Sequence, residues 1–384
     1  MFKISKKKIK IGVIFGGRSG EHEVSIVSAQ SVMKALNKAK YEVIPIGITK
    51  EGKWIAGPKA VEFLKEGLKK LPFKSVLAPD PTERQLVSVK EKNLVPAGSA
   101  AFGPTKVDVI FPVMHGTYGE DGKLQGLLEM ANIAYVGAGV LGSALGMDKI
   151  AQKQIFAQQG LSIVKYDFFL SKEWQENKNK IIKRLEKNLK YPMFVKPANT
   201  GSSVGVGKCY NRQELIACIK DASQYDLKII VEQGIENISE IEVAVLGNNK
   251  PKASVPGEIV PSNEFYDYDA KYVDGKSQAI IPAKLPVKII KEIQELAKRA
   301  FLSLDLAGMA RIDFFVVKKT KKIYLNEVNT LPGFTAISMY PQLWQASGLS
   351  YSELLSKLID LALERFNEKN ELSTSYQPKQ DWYK

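Results

Sequence analysis

The chain has 384 residues, 45% hydrophobic and 25% charged, which suits two or three globular domains and excludes a disordered or fibrous protein. Lysine and arginine outnumber the acids to leave a net charge of +14, so nucleic acid, a membrane surface and a small anionic ligand all stay open as partners. Only two histidines (His22, His115) and two cysteines (Cys209, Cys218) exclude most histidine-built metal sites and any disulfide framework, and the lack of a long apolar run or signal-like start predicts a soluble cytoplasmic protein.

Residues 9–16 (IKIGVIFG) read as a buried strand ending at Gly16-Gly17, followed by a helical pattern over 21–38 and a second strand at 41–48. Residues 55–100 read as an irregular, lysine-rich connection. A strand at 107–114 and a helix at 123–131 complete an alternation that predicts a parallel α/β domain ending near Gly137. The second region, 138–235, reads as helices at 148–159, 172–189 and 211–222, with strands at 192–196 and 228–232 and a Gly/Ser turn at 199–207. The third, from 236, carries strands at 241–247 and 309–317, a polar loop at 261–277, a return strand at 322–328 and helices at 286–303 and 351–366. A polar tail expected to fray follows Phe366. The expected class is therefore α/β, becoming α+β in the C-terminal half, in three domains: 1–137, 138–235 and 236–384.

The segment GMARIDFFVVKKTKKIYLNEVNTLPG, 308–333, carries the clearest chemistry. A turn centred on Thr320 sets Asp313 opposite Glu327 and Arg311 opposite Asn329. Alternation along each strand then puts two carboxylates, a carboxamide and a guanidinium on one sheet face. Hard oxygen ligands of this kind suit Mg²⁺ with phosphate oxygens completing its shell, and Arg311 can hold an anion. In YPMFVKPANTGSSVGVG, 191–207, Lys196 closes an apolar strand ahead of a loop whose backbone N–H groups and Ser202 and Ser203 hydroxyls can cradle phosphates. The sequence FGGRSGEHEVS, 15–25, brings two acids to a helix start. Glu21 is read there as dipole compensation, while Glu23 stays open between that reading and a site role. His115 lies at the C-terminal end of a buried strand, the ligand edge of an α/β sheet, and EFYDYDAKY, 264–272, could close as a lid.

Taken in order, GGRSGEHEVS, HGTYGEDGKLQG, the MDK at 147–149, FVKPANTGSSVGV, EFYDYDAKY, RIDFF and NEVNTLPGFTAISMYP resemble the D-alanine–D-alanine ligases of the ATP-grasp superfamily over residues 9–366. The resemblance implies a three-domain ATP-grasp architecture with an N-terminal parallel-sheet domain. It implies ATP as co-substrate, Mg²⁺ or Mn²⁺ as two bound ions, a D-alanyl phosphate intermediate, a homodimer and a role in peptidoglycan synthesis. It assigns Glu23 to the ammonium of the first D-alanine, His115 beside that substrate, and Glu23, Ser202 and Tyr272 to a hydrogen-bonded triad. Lys271, Ser338 and the Met339 N–H are assigned to the second carboxylate, and Arg311 and the Gly333 N–H to the oxyanion. Lys149, Lys196 and Ser203 are assigned to the phosphates, Glu232, Ile235 and Glu240 to adenine and ribose, and Asp313, Glu327 and Asn329 to the metal. Some members carry Lys where this chain has Gln233. Related ligases that take D-lactate or D-serine, and other ATP-grasp ligases, remain alternatives. A nucleic-acid-binding role is disfavoured, because the basic residues are not interleaved with aromatics.

Overall fold

The computed structural model describes residues 7–66, 74–89, 105–260 and 278–376. Three sheets organise them. The first is built from β1 (Ile9–Gly16), β2 (Tyr41–Ile48), β3 (Trp54–Ala56), β4 (Lys74–Leu77), β5 (Gln85–Val89), β6 (Thr105–Lys106), β7 (Val109–Pro112) and β8 (Ala134–Tyr135), in the order β6-β5-β4-β3-β2-β1-β7-β8. Its β2-β1-β7-β8 half is parallel, with α1 (His22–Ala35) and α3 (Lys123–Met130) as crossovers. The sheet as a whole is mixed, which corrects the expected parallel sheet. Part of the span read as an irregular connection forms α2 (Ala60–Glu66) and strands β3 to β5, and with β6 these extend the sheet antiparallel. Their few residues each gave too short a period to be legible.

β1 shows why its sequence is apolar throughout. Ile11, Val13 and Phe15 enter one core and Ile14 the core on the other face, as expected for a strand covered on both sides. It ends at Gly16 and Gly17, with φ of +87° and +100°. A Cβ at Gly16 would lie 2.2 Å from the Ile48 carbonyl oxygen, so only glycine makes this turn. Ser25 then locks the turn: Gly16 N–H donates to Ser25 Oγ at 2.7 Å, and Ser25 Oγ donates to the Val113 carbonyl at 2.5 Å.

After α4 (Val140–Met147) and α5 (Lys149–Gln158), the second sheet follows. It is antiparallel, ordered β11-β10-β12-β9, from β9 (Tyr166–Leu170), β10 (Met193–Pro197), β11 (Gly207–Cys209) and β12 (Lys228–Gln233). The helices α6 (Ser171–Asn188) and α7 (Arg212–Ala222) pack on it around Phe169, Trp174, Leu185, Leu215 and Ile219. The third sheet comprises β13 (Ile238–Gly247), β14 (Lys252–Ala253), β15 (Gly257–Val260), β16 (Gln278–Ile280), β17 (Gly308–Val317) and β18 (Ile323–Asn329), in the order β16-β15-β13-β17-β18 with β14 beside β13. It is covered by α8 (Val287–Ser303), α9 (Met339–Ala346) and α10 (Tyr351–Asn370). The last helix runs past Phe366, where fraying was expected, and Arg365 explains the extension. Its guanidinium donates to the Tyr135 carbonyl at 3.1 Å and the Gly137 carbonyl at 2.5 Å, and stacks on Tyr135. No described helix is long and apolar enough to cross a membrane.

Candidate active site

Three loops from distant parts of the chain meet at the Glu21 carboxylate. Glu21, at the start of α1, is 8% exposed. Ser202 Oγ donates to its Oε1. Its Oε2 lies so close to the backbone that a Cβ at Gly116 would come within 2.8 Å, and one at Gly201 within 2.6 Å. The loop carrying Ser202 is tightly coiled, with Ser202, Ser203 and Gly205 at φ +48°, +58° and +70°. Non-glycine residues held in the left-handed region cost of order 1 kcal/mol or more each, a cost that surrounding structure must offset. The N–H groups of Val204 and Val206 are consumed inside the loop by the Gly201 and Ser203 carbonyls, so the expected cradle is narrower than its glycine content suggests.

His115 is 5% exposed. Its Nδ1–H donates to the Leu331 carbonyl at 2.9 Å, and Nε2 stands 3.4 Å from Ser28 Oγ. Burial pushes its pKa down, against the opposing pull of Glu21, which favours a neutral imidazole. Glu120 lies beside it. Its carboxyl accepts from Gly116 N–H at 2.8 Å and Leu331 N–H at 3.2 Å, with Thr330 Oγ1 at 3.4 Å. Burial, then the neighbouring Glu21 charge, raises Glu120 to about 7. The charge of Arg311 reaches both His115 and Glu120.

On the third sheet Arg311 pairs with Asn329 and Asp313 with Glu327, the register expected from the sequence. The guanidinium grips Asp313 through Nε and Nη2 at 2.8 Å each and lies 3.1 Å from Glu242 on β13. Burial opposes its charge, but Asp313 and Glu242 hold its pKa well above the ordinary value. Asn329 Nδ2 donates to Asp313 at 3.0 Å. Among the described residues no group of three His, Cys, Asp or Glu side chains forms an ion site alone. Two carboxylates and a carboxamide oxygen fit a hard divalent cation in donor chemistry, with phosphate oxygens supplying the rest.

The lysines come from α5 and β10. Lys149 Nζ donates to the Thr200 carbonyl at 2.7 Å, at the foot of the Gly/Ser loop. Glu232, 3% exposed, receives Lys153 on one oxygen at 2.9 Å and Lys196 on the other at 2.8 Å. Burial alone would raise its pKa, yet the two ammonium groups hold it at about 2. Ile235 lies half-buried in the connection after β12, and Glu240 near the start of β13. Gln233 turns its carboxamide to Lys190 N–H at 3.2 Å, so the side chain that replaces a lysine is engaged elsewhere. Ser338 stands at the N-cap position of α9, where its hydroxyl ties its own loop instead of the helix, accepting from Thr335 N–H at 3.0 Å. A Cβ at Gly333 would meet Ser338 Oγ at 2.7 Å. Met339 begins α9, which puts its N–H at a helix N-terminus.

Comparison with known proteins agrees with this arrangement. The family models described as D-ala D-ala ligase N-terminus and C-terminus match residues 10–138 and 155–360. The chain is 49% identical over 371 residues to the D-alanine–D-alanine ligase of Natranaerobius thermophilus, covering 96% of this chain and 99% of the relative. It is 50% identical over 372 residues to that of Heliobacterium modesticaldum, covering 97% and 99%. The chain belongs to the D-alanine–D-alanine ligase family. Among solved structures, the D-Ala:D-Ser ligase VanG of Enterococcus faecalis is similar with a TM-score of 0.80 and 38% identity, covering 93% of this chain and 100% of that one. The D-alanine–D-alanine ligase of Coxiella burnetii gives 0.79 and 35%, covering 95% and 97%.

Within this ligase fold the acid assigned from the sequence needs correction. Glu23 points away from the cluster, 63% exposed at its side chain and paired with Lys50 at 2.5 Å. Lys50 holds its pKa below the usual carboxylate value. Glu21 occupies the place expected of it, because two residues at a helix start face roughly opposite ways. Glu120, Lys153 and Glu242 are additional buried charges that the sequence reading did not single out. Glu120 could have been noticed, since it sits inside HGTYGEDGKLQG. Lys271 and Tyr272, with the rest of the expected lid, lie outside the described residues.

Proposed function

We propose that this chain joins two molecules of D-alanine at the expense of ATP, giving D-alanyl-D-alanine, ADP and phosphate, as a cytoplasmic homodimer serving peptidoglycan synthesis. The observation that carries this reading is the junction of Glu21, Ser202 and His115 within electrostatic reach of Arg311. An ammonium site and an anion site thereby stand side by side, as an amino-acid substrate requires. Glu21 takes the ammonium of the first D-alanine, and Ser202 fixes the carboxylate that does so. Lys149 and Lys196 draw the ATP phosphates toward the Gly/Ser loop and Ser203, while Glu232, Ile235 and Glu240 meet adenine and ribose.

Asp313, Glu327 and Asn329 would hold Mg²⁺, which when bound neutralises phosphate charge. A carboxylate oxygen of the first D-alanine attacks the γ-phosphorus, the bond to ADP breaks, and an acyl phosphate forms. The second D-alanine, held through its carboxylate by Lys271, Ser338 and the Met339 N–H, must lose an ammonium proton to water. Its neutral amine then attacks the acyl carbon and phosphate departs. Negative charge builds on the acyl oxygen between these events, and fixed donors there, the roles assigned to Arg311 and the Gly333 N–H, would lower that barrier. The resemblance gives Tyr272 a hydrogen-bonding role beside Glu21 and Ser202.

The test is phosphate release from ATP with D-alanine alone, then with D-serine or D-lactate added, and identification of products by mass. D-alanine-dependent release with D-alanyl-D-alanine dominant is expected. No D-alanine dependence would refute the reading, and a dominant D-alanyl-D-serine or depsipeptide product would overturn the identity of the acceptor.

A further inference from the structure

Lys153 is a cation with no path to solvent and no part in the chemistry above. It lies on α5 with 1% exposure. Its Nζ is 2.9 Å from Glu232 Oε1 and donates to the Asn326 carbonyl at 3.3 Å. The other oxygen of Glu232 takes Lys196 at 2.8 Å. These two lysines are not equivalent. The Lys196 side chain keeps 13% exposure against 2% for Lys153, so Lys196 is the one able to turn toward an incoming phosphate. When it does, Glu232 would, but for Lys153, become a buried carboxylate without a countercharge, a state that proteins avoid by protonation or rearrangement. Lys153 is the charge that stays.

We propose that Lys153 is a positioning residue for base recognition, keeping the Glu232 carboxylate ionised and fixed while Lys196 serves the phosphates. The proposal rests on the nucleotide reading above and names what makes that site selective. An ionised carboxylate only accepts hydrogen bonds, and each of its oxygens retains a lone pair after one lysine contact. It therefore receives the exocyclic amino group of adenine and repels a carbonyl at the same ring position. The second contact of Lys153 extends the effect. Asn326 is the extra residue at the irregularity in the β17–β18 pairing, next to Glu327, so one ammonium ties the base end of the nucleotide site to the strand of the metal ligands.

The experiment measures calorimetric binding of ATP and of inosine triphosphate, whose base carries an oxo group in place of the amino group. It uses the full chain and the variants Lys153→Met, Lys153→Gln and Lys153→Arg, with the KM for D-alanine read alongside. The unmodified chain is expected to prefer ATP. Both neutral variants should lose tenfold or more of that preference, Lys153→Arg should keep most of it, and the KM for D-alanine should stay put. A residue that merely held the fold would weaken both nucleotides alike and leave their ratio untouched, so an unchanged ratio overturns the proposal. Should Lys153→Met fail to fold, Lys153→Gln, which keeps a donor toward Asn326, decides. An unmodified chain that binds ATP without preferring it overturns the Lys153 proposal alone, whereas one that binds neither nucleotide removes the nucleotide reading and the proposal with it.

Discussion

Glu21 and Glu23 stand two positions apart, yet one is enclosed by three loops and the other reaches into solvent. The difference is geometric: α1 begins at His22, and a step of two residues at a helix start turns a side chain to the far side. His22, buried between them, donates from Nδ1 to the Gly17 carbonyl at 2.8 Å and so fixes which way the turn faces. The sequence motif was legible but its phase was not, because both acids fit a dipole-compensating role and only the depth of Gly116 and Gly201 beneath Glu21 separates them. Glu21→Gln is expected to lower kcat/KM for D-alanine by about 10²-fold, equivalent to about 2.7 kcal/mol. Glu23→Gln removes an exposed ion pair and should change neither turnover nor stability by more than about 0.5 kcal/mol. Steady-state kinetics of the two variants side by side check this, and the reverse ordering would return the substrate ammonium to Glu23.

At the scale of elements, the β17–β18 hairpin was legible because its chemistry sits on paired strands. The pairs Arg311–Asn329 and Asp313–Glu327 match a turn centred on Thr320, although nearer the turn Phe314–Leu325 and Val316–Ile323 pair one residue out of that register. What could not be read was the irregularity beyond Asp313, where Phe314 pairs with Leu325 and Asn326 is left over; an extra residue of this kind has no period to betray it. Equally hidden was the joint between the 115–120 loop and the 330–331 segment. It depends on one carboxyl, Glu120, receiving N–H groups 4 and 211 positions away. This joint has a pH signature. The Glu120 pKa is raised by burial to about 7, so the folded state binds a proton that the unfolded chain releases at ordinary carboxylate pH. Its contribution is complete below pH about 4.5, is lost as pH rises toward about 7, and amounts to about 3 kcal/mol at most. Melting temperatures from pH 5 to 8 should therefore fall more steeply for the unmodified chain than for Glu120→Gln. Parallel slopes would mean that Glu120 titrates normally.

Across the whole molecule, packing rather than chain order decides what moves together. Phe334, 1% exposed, meets Phe111 of the first sheet edge-on at 5.7 Å and Tyr340 of α9 at the same distance. One hydrophobic core thus contains Val13, Phe111 and Val136 together with Met309, Leu343 and Leu358. The first and third sheets are welded through it, and α10 reinforces the weld through Arg365 and the Lys369–Glu129 pair. The second sheet keeps a core of its own, built around Phe169, Leu185, Val195 and Val231. It meets its neighbours through polar ties such as Lys228–Asp148 and Glu232–Lys153 and through a small apolar contact of Ile150 with Ala198 and Ile230. The second sheet, which carries the proposed nucleotide residues Lys196 and Glu232, thus has a core separate from the one joining the first and third sheets. Phe334→Ala tests the division. Truncating a buried aromatic costs about 3–5 kcal/mol, and amide exchange should quicken together in β1, β7, β13 and β17 while β10 and β12 keep their protection. Loss confined to the third sheet would show that the shared core is not cooperative. Loss in β10 and β12 as well would show that the second sheet has no independent stability, and the polar ties would then have to transmit the full cost of the cavity.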